Sequence, residues 1–168
     1  MDHTKPKTNC DLELIRKNFP AELLVLTCWC LWRYVWREPK NSTEGKWTKV
    51  PYQPNGATAK SNDRGTWSPF GSVCAAYCTG KFDGVGCFLF PPLVGIDLDH
   101  VRDSQTGEIE QWAAEIIKQM DSYCEVSPSG TGVHIWTAGE LRPDGGHRKG
   151  RVEIYQIGRY FTVTGEKI

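Results

Sequence analysis

The sequence lacks a net charge, a long apolar run and an N-terminal signal. Twenty Lys+Arg residues balance twenty Asp+Glu residues among the 168 positions, so any nucleic-acid partner would need a local basic patch. The longest apolar stretch, residues 23–32, is about half of what a membrane helix needs. No basic-then-apolar segment of the signal-peptide kind opens the chain. These absences favour a cytoplasmic protein with reduced thiols and no membrane partner.

Cysteine is present, but not in a metal-binding arrangement. The seven cysteines include Cys28 and Cys30, two residues apart, and Cys74 and Cys78, four residues apart. Structural zinc sites usually need tight pairs of the C-x₂-C kind with a matching second pair. We therefore expect buried free thiols and no structural zinc.

The apolar pattern predicts one main domain that contains both helices and strands. A chain of 168 residues is long enough to bury a sizeable core. Residues 1–19 are predicted to form an arm with a short helix, and residues 20–168 the main domain. We expect strands over 23–36, 84–90 and 94–100, two strands within 123–136, two within 151–165, and helices over 12–19, 68–80 and 109–120. Ser68 is the expected cap of the second helix, and Pro91-Pro92 the expected turn of a hairpin.

Two aspartates stand side by side in the strand at 94–100. Side chains alternate along a strand, so Asp97 and Asp99 point to one face, while Ile96 and Leu98 point to the other. Two carboxylates on one face repel each other. A pair of divalent cations would make the arrangement favourable, because Mg²⁺ and Mn²⁺ prefer hard oxygen ligands. Taken alone, however, a D-x-D pattern is better explained by a solvated strand face.

A turn rich in hydroxyls and glycine follows at Ser129-Gly130-Thr131. Its backbone N–H groups are expected to be exposed, so that an anion can approach closely. His134 comes shortly after this turn. A single histidine on a strand is usually a structural residue, but one beside such a turn is a candidate phosphate ligand. Upstream, Lys46 and Lys49 are expected to be solvated, with contact to a phosphate as the alternative.

The last part of the chain adds a third carboxylate and a basic patch. Glu153 stands between Val152 and Ile154 in a predicted strand, where a carboxylate needs a reason such as a metal shared with the two aspartates. Residues 141–151 are predicted as a loop, and Asp144 is the one acidic residue in it. The loop also contains several basic residues: Arg142, His147, Arg148, Lys149 and Arg151. Such a patch either binds a nucleic-acid backbone or is a solvated loop.

These motifs, taken in order, resemble the primase-polymerases of phage and plasmid replication proteins, which belong to the archaeo-eukaryotic primase superfamily. The pattern is D-x-D, then S-P-S-G-T-G-x-H-I, then V-E-I-Y-x-x-G-R-Y-F-T-V-T-G. Trp29-x-x-x-Arg33, Lys49-Val50-Pro51 and Trp67 fit the upstream part of that family. The resemblance thus spans about residue 20 to the end, and three motifs in this order are specific where one alone is weak.

The resemblance implies an α+β fold, with an antiparallel or mixed sheet related to the RNA-recognition fold and helices packed behind it. It implies that two divalent ions, Mg²⁺ or Mn²⁺, are held by Asp97, Asp99 and Glu153. The incoming triphosphate is expected to bind His134, Ser129, Gly130, Thr131 and Arg159, and the template Arg148, Lys149 and Arg151. The superfamily often has serine where this chain has Gly132, so a neighbouring hydroxyl has to make that contact, or it is absent.

The implied activity is that of a DNA primase and DNA polymerase that joins dNTPs or NTPs on single-stranded DNA and makes primers. The chain is then expected to be the N-terminal, catalytic part of a longer phage- or plasmid-encoded replication protein, with a helicase as domain or partner. Three alternatives stay open: a gap-filling or end-joining polymerase without priming activity, a metal-dependent nuclease, and a non-catalytic single-stranded nucleic-acid-binding module. Rolling-circle nicking is disfavoured, because no paired-histidine motif accompanies a tyrosine nucleophile.

Overall fold

The computed structural model describes residues 4–38, 45–142 and 146–168. Its helices are α1 (Leu12–Asn18), α2 (Ala21–Leu24), α3 (Phe70–Tyr77) and α4 (Gln111–Met120), with a 3₁₀ turn over Arg64–Thr66. Its strands are β1 (Trp29–Arg37), β2 (Lys46–Tyr52), β3 (Gly84–Phe88), β4 (Leu93–Leu98), β5 (Tyr123–Val126), β6 (Val133–Ala138), β7 (Gly146–Lys149), β8 (Val152–Tyr155) and β9 (Tyr160–Val163).

These strands form two sheets. One has four strands in the order β2-β1-β3-β9, and the other has five in the order β5-β6-β4-β8-β7. Every pairing between these strands is antiparallel. The predicted α+β class is confirmed, and its sheets are antiparallel rather than mixed. Because antiparallel sheets need no helical crossover between neighbours, one of their faces can stay open to a ligand.

Helix α4 covers one face of the five-stranded sheet. Ala113 is fully buried there, and Trp112, Ile116 and Met120 pack against the same core. Their spacing of three to four residues follows the helical period and so puts them on one side of α4. With ten residues α4 is the longest of the described helices, and none of these is long and apolar enough to cross a membrane.

The other face of the five-stranded sheet packs in part against the four-stranded sheet. Trp136 and Phe161, one from each sheet, lie edge to face with ring centroids 5.6 Å apart. Gly95 permits this approach, because a Cβ there would lie 2.7 Å from the Phe161 ring and 2.9 Å from Leu89. Helix α1 inserts Ile15 into the same core. The division of the chain after residue 19 stays a prediction.

The predicted hairpin across Pro91-Pro92 is wrong. β3 pairs with β1 and β9 in one sheet, whereas β4 pairs with β6 and β8 in the other. The chain passes from sheet to sheet at these two prolines, which lack the N–H that a ladder requires. The turn is closed instead by a hydrogen bond from Leu93 N to Phe90 O of 2.7 Å.

Three further boundaries differ from the expectations. The apolar stretch 23–36 begins within helix α2, and its strand starts only at Trp29. Helix α3 begins at Phe70, so Ser68 does not cap it. The backbone of Ser68 instead exchanges hydrogen bonds of 2.9 and 3.0 Å with Trp29. The segment 141–151, predicted as a loop, contains the edge strand β7. Asp144 lies outside the described residues.

The seven cysteines are free thiols. Five of them are buried, namely Cys28, Cys30, Cys74, Cys87 and Cys124. Cys28 and Cys87 are neighbours, with 3.4 Å between their Sγ atoms. Burial raises the pKa of the Cys87 thiol well above its ordinary value, so these groups behave as small apolar side chains in the core.

Gly95→Ala is expected to lower the free energy of unfolding by about 1–3 kcal/mol, because the added methyl group would overlap Phe161 and Leu89 where the sheets meet. Gly71→Ala is the matched control, since a Cβ at this position of α3 meets nothing within 4 Å and alanine favours a helix. Urea unfolding followed by tryptophan fluorescence measures both. Equal stability of the two variants would contradict the close contact at Gly95.

Candidate active site

Five polar side chains lie in one row across the five-stranded sheet. The register places His134 of β6 and Glu153 of β8 directly opposite Asp97 of β4, one on each side. Glu125 lies opposite His134, and Arg148 lies opposite Glu153. Directly opposed residues of antiparallel strands point to the same face. This row faces away from α4, because the alternate residues of β4 are the ones packed against that helix.

Asp97 is the centre of the negative charge in this row. Burial, together with the charges of Asp99 and Glu153, raises the pKa of the Asp97 carboxyl to about 7. Asp99 directly follows β4, and its N–H donates to Arg151 O at 2.8 Å, so its backbone continues the pairing beyond the strand. The three predicted carboxylates are therefore near enough for the charges of Asp99 and Glu153 to act on Asp97.

Glu153 is held by two neighbouring side chains. The Tyr155 hydroxyl, two residues along the same strand face, donates to Glu153 Oε2 at 2.8 Å. Arg148 Nε lies 3.1 Å from Glu153 Oε1. The Arg159 guanidinium in turn lies over the Tyr155 ring, 4.8 Å from its centroid. Arg159, a predicted nucleotide ligand, is thus linked to the third carboxylate through a tyrosine that the sequence analysis did not identify.

His134 is fixed from behind by the other sheet. Its Nδ1 lies 3.0 Å from Thr162 O on β9, and since a carbonyl oxygen only accepts, Nδ1 carries the proton. Burial and the charge of Lys49 lower the pKa of His134 to about 3, so the ring is neutral at neutral pH. Its Nε2 faces Asp97 Oδ1 at 3.7 Å. The free edge of the imidazole is thereby directed to the space next to the carboxylates.

Behind His134 lies a fully buried carboxylate that the sequence analysis missed. Glu125 Oε1 lies 4.0 Å from His134 Nδ1. Glu125 Oε2 accepts hydrogen bonds from Tyr123 Oη, Thr164 N and Gly165 N. A carboxylate between apolar strand residues, the pattern that identified Glu153, also occurs in the stretch C-E-V at residues 124–126 and would have identified this one.

Two buried polar atoms in this region lack a hydrogen-bond partner among the described residues: Oε1 of Glu125 itself and Nε1 of the neighbouring Trp136. Burial raises the pKa of Glu125 to about 7, while the Oε2 hydrogen bonds and the nearby Trp136 indole act in the opposite direction. The indole N–H is thus close enough to favour the charged form without making a well-formed bond. The charge of this carboxylate is incompletely compensated.

The four-stranded sheet contributes Lys49 to the same space. Lys49 on β2 is close enough for its charge to lower the pKa of Asp97 and of His134. Burial in turn lowers the pKa of the Lys49 ammonium, while Asp97 and Asp99 act to raise it. The tertiary structure therefore places Lys49 at the carboxylates rather than in bulk solvent, the alternative that the sequence analysis ranked first.

The turn at Ser129-Gly130-Thr131 lies next to the end of β4. Thr131 O accepts hydrogen bonds of 2.9 Å from both Val101 N and Arg102 N, which ties the turn to the segment after Asp99. A Cβ at Gly132 would lie 3.0 Å from both Leu98 O and Ser127 Oγ. The position where the family often has serine therefore has the Ser127 hydroxyl as its direct neighbour.

The expectation that the backbone N–H groups of this turn are exposed is wrong, because they donate hydrogen bonds within the turn. Gly130 N donates to Ser127 O, Gly132 N to Ser127 Oγ, and Thr131 N to Ser129 Oγ. The hydroxyls themselves form a chain from Ser127 to Ser129 to Thr131, with 3.0 Å between successive oxygens. An anion at this turn would therefore meet hydroxyl groups rather than free amides.

The three basic residues predicted to bind a template have different surroundings. Arg148 contacts Glu153. Arg151 makes two bonds to the Glu110 carboxylate, at 2.7 and 2.6 Å, and lies over the Trp112 ring. Lys149 follows Arg148 on β7 and so points to the opposite face, and it forms no ion pair with any described residue. Their role in template binding stays a prediction.

The carboxylates suit a divalent cation by donor type and by charge. As arranged here, no three Asp, Glu, His or Cys side chains of the described residues lie close enough to hold an ion. Carboxylate oxygens are nevertheless the ligands that Mg²⁺ and Mn²⁺ prefer. Repulsion from Asp99 and Glu153 contributes to the raised pKa of Asp97, and a bound cation would remove it. The metal site stays a prediction.

Comparison with known proteins assigns the domain. No protein-family model matches the chain. A DNA primase-polymerase of the Nitratiruptor phage NrS-1 is 36% identical in an alignment of 141 residues that covers 79% of this chain. The chain carries a domain of the primase-polymerase family. It spans 19% of the length of that relative, so the likeness covers most of this chain and a small part of the phage protein.

In this primase-polymerase domain, Glu125→Gln is expected to change how stability depends on pH. The pKa of Glu125 in the folded state is about 7, above the roughly 4.3 of an unfolded glutamate. Between these values the folded state keeps a proton that the unfolded state has lost. The wild type therefore loses stability through this group as the pH rises, by up to about 1.4 kcal/mol per pH unit, and Glu125→Gln does not.

Urea unfolding at about pH 5 and about pH 7.5, with a chelator present, measures this difference. The glutamine oxygen can still accept the hydrogen bonds that Glu125 Oε2 accepts, so the fold is preserved. Other groups that titrate in this window, Asp97 and His134 among them, are present in both proteins. Their contributions to the pH dependence of stability therefore largely cancel in the difference. A difference between wild type and variant that does not vary with pH would contradict the buried, protonatable carboxylate.

Proposed function

We propose that this domain catalyses template-directed nucleotidyl transfer from nucleoside triphosphates on single-stranded DNA, including the synthesis of primers. The observation that carries the proposal is the row in which Asp97 stands between His134 and Glu153. It combines carboxylates suited to cations with an imidazole whose Nε2, once protonated, can donate to a phosphate chain. The name of the phage relative, DNA primase-polymerase, supports the same class of reaction.

Asp97, Asp99 and Glu153 would hold two divalent ions, Mg²⁺ or Mn²⁺. When bound, such ions would supply charge neutralisation for the triphosphate and a more acidic primer 3′-hydroxyl. The contribution of the chain is to hold its side chains in place. Asp97 is on a central strand with a ladder on each side, and strands position groups more precisely than loops. Positioning and electrostatics carry most of the catalysis of phosphoryl transfer.

The incoming triphosphate would bind beside the first carboxylates. His134, held by Thr162 O, would take up a proton at Nε2 in order to donate to a phosphate oxygen, and Ser129 and Thr131 present hydroxyls at the adjacent turn. Gly130 has a φ of +78°, which glycine adopts without strain and which allows the turn to be tight. Arg159 is exposed and supported by the Tyr155 ring, so its guanidinium can reach a phosphate.

The template would bind Arg148, Lys149 and Arg151. Lys149 can do so as it stands, whereas the two arginines would exchange the carboxylates of Glu153 and Glu110 for phosphates. A helicase, as a domain or partner of the same replication system, would supply the single strand. The protein would act in the cytoplasm of the host cell, as part of a phage- or plasmid-encoded replication protein.

A polymerase that fills gaps or joins ends without priming would use the same row of residues. Only primer-free synthesis separates it from a primase. A non-catalytic single-strand binder is less well supported, because this face carries carboxylates where the RNA-recognition fold has stacking aromatic side chains. A nuclease is also less well supported, since it has no need of a triphosphate-binding histidine and turn.

Asp97→Asn is expected to lower synthesis on unprimed single-stranded DNA by roughly a hundredfold or more, because it removes the central carboxylate. Labelled nucleotides with Mn²⁺ or Mg²⁺ measure the product. Glu140→Gln, an exposed change outside the row, is the control and should keep full activity. Without metal, Asp97→Asn should be at least as stable as the wild type, since it relieves repulsion. Near-normal synthesis by Asp97→Asn would refute the assignment.

His134→Asn is expected to raise the nucleotide KM or lower kcat, while affinity for single-stranded DNA stays near normal. The asparagine amide can still donate toward Thr162 O, so the change removes mainly the Nε2 edge. Lys149→Ala should do the reverse: weaker DNA binding, with a salt dependence flatter by roughly 0.7 for one lost phosphate contact. Steady-state kinetics and fluorescence anisotropy give the two readouts. If His134→Asn weakened DNA binding and Lys149→Ala changed the nucleotide kinetics, the two residues would have each other's role.

A further inference from the structure

Lys49 is a cation at the site that the proposed reaction leaves without a role. Its backbone is fixed, because it stands opposite Tyr34 in the ladder with β1 and its carbonyl accepts a hydrogen bond of 2.9 Å from Tyr160 Oη. Its ammonium forms no ion pair within 4.0 Å among the described residues. Nζ lies 5.6 Å from the Trp32 ring centroid, a weak cation–π contact.

The strand that fixes His134 also fixes Lys49, because Tyr160, which bonds Lys49 O, is two residues from Thr162, which bonds His134 Nδ1. The charge of Lys49 acts on His134 and on Asp97 and Asp99. Neither carboxylate is close enough to pair with it directly. Divalent ions on those carboxylates would cancel the negative charge that Lys49 now faces. The space would then be surrounded by the ions, Lys49 and His134, with no anion of its own. A polyphosphate is the ligand that satisfies such an arrangement.

We propose that Lys49 binds the phosphate chain of the incoming nucleotide from the sheet opposite His134. The inference rests on the proposed function and deepens it, since the nucleotide would bind between the two sheets rather than on the five-stranded sheet alone. DNA also offers phosphates. The nucleotide is favoured because Lys49 is tied to the strand that holds His134, whereas Lys149, which is proposed for the template, points to the opposite face of its strand.

Lys49→Met and Lys46→Met form a matched pair for the test. Both lysines are on β2, but three residues apart, so they point to opposite faces, and Lys46 is exposed. Methionine keeps an unbranched apolar stem beside Trp32 and removes the charge. With Mn²⁺ in excess, calorimetry gives the affinity for a non-hydrolysable dNTP analogue and for inorganic tripolyphosphate. Anisotropy gives the affinity for single-stranded DNA, and calorimetry without nucleotide that for Mn²⁺.

Lys49→Met should weaken binding of the analogue and of tripolyphosphate by about tenfold to a hundredfold, the effect of losing one charge-assisted hydrogen bond. Lys46→Met should change neither. DNA affinity should stay near that of the wild type, and Mn²⁺ affinity should be equal or higher, because a nearby positive charge is gone. Lys49→Arg, which keeps the charge, should recover part of the loss and serves as the second variant where Lys49→Met lowers the urea midpoint.

Unchanged affinity for the analogue in Lys49→Met overturns the proposal. A loss confined to DNA also overturns it and assigns Lys49 to the template. A loss of Mn²⁺ affinity overturns it as well, since Lys49 would then organise the carboxylates. These outcomes leave the proposed function standing. If the wild type itself binds no triphosphate, both proposals fall together.

Discussion

The register of β4 between β6 and β8 is the constraint on which the site depends. A slip of one residue would turn Asp97 toward α4 and bring apolar side chains to the open face. The register is secured from the other side of the sheet, where Ile96 lies between Ile135 and Ile154 in the core under α4. The apolar packing behind the sheet therefore determines where the carboxylates stand in front of it.

Holding acidic groups in this row has a cost in stability. Burial raises the pKa of both Asp97 and Glu125 to about 7, so each is harder to ionise in the folded chain than in water. Tyr155 and Arg148 offset part of the charge on Glu153. A purely structural sheet gains nothing from such an arrangement, and strongly shifted carboxylates are typical of functional sites. A cation bound at Asp97 would favour the ionised carboxylate and so remove this cost.

The two sheets are connected in a way that builds the site between them. The chain crosses from one sheet to the other after β3, at the two prolines, and crosses back after β8, near Gly158. The crossings lie side by side, since Leu89 N donates to Arg159 O at 3.0 Å. The four-stranded sheet thereby supplies the carbonyl of Thr162 that fixes His134 and the ammonium of Lys49. Thr162 is 28 residues from His134 in sequence, and Lys49 precedes all five residues of the row.

The sequence by itself determined the residue types and their local arrangement. Asp97 and Asp99 on one strand, the Ser129-Gly130-Thr131 turn before His134, and Glu153 between apolar residues are patterns within a few positions, and they sufficed for the α+β class and for the family. Tertiary structure alone decided that β3 and β4 belong to different sheets and that Lys49 and Tyr155 join the site. The partner of each strand is selected by packing between distant segments, such as Gly95 against Phe161. The periodicity within a segment does not specify that partner.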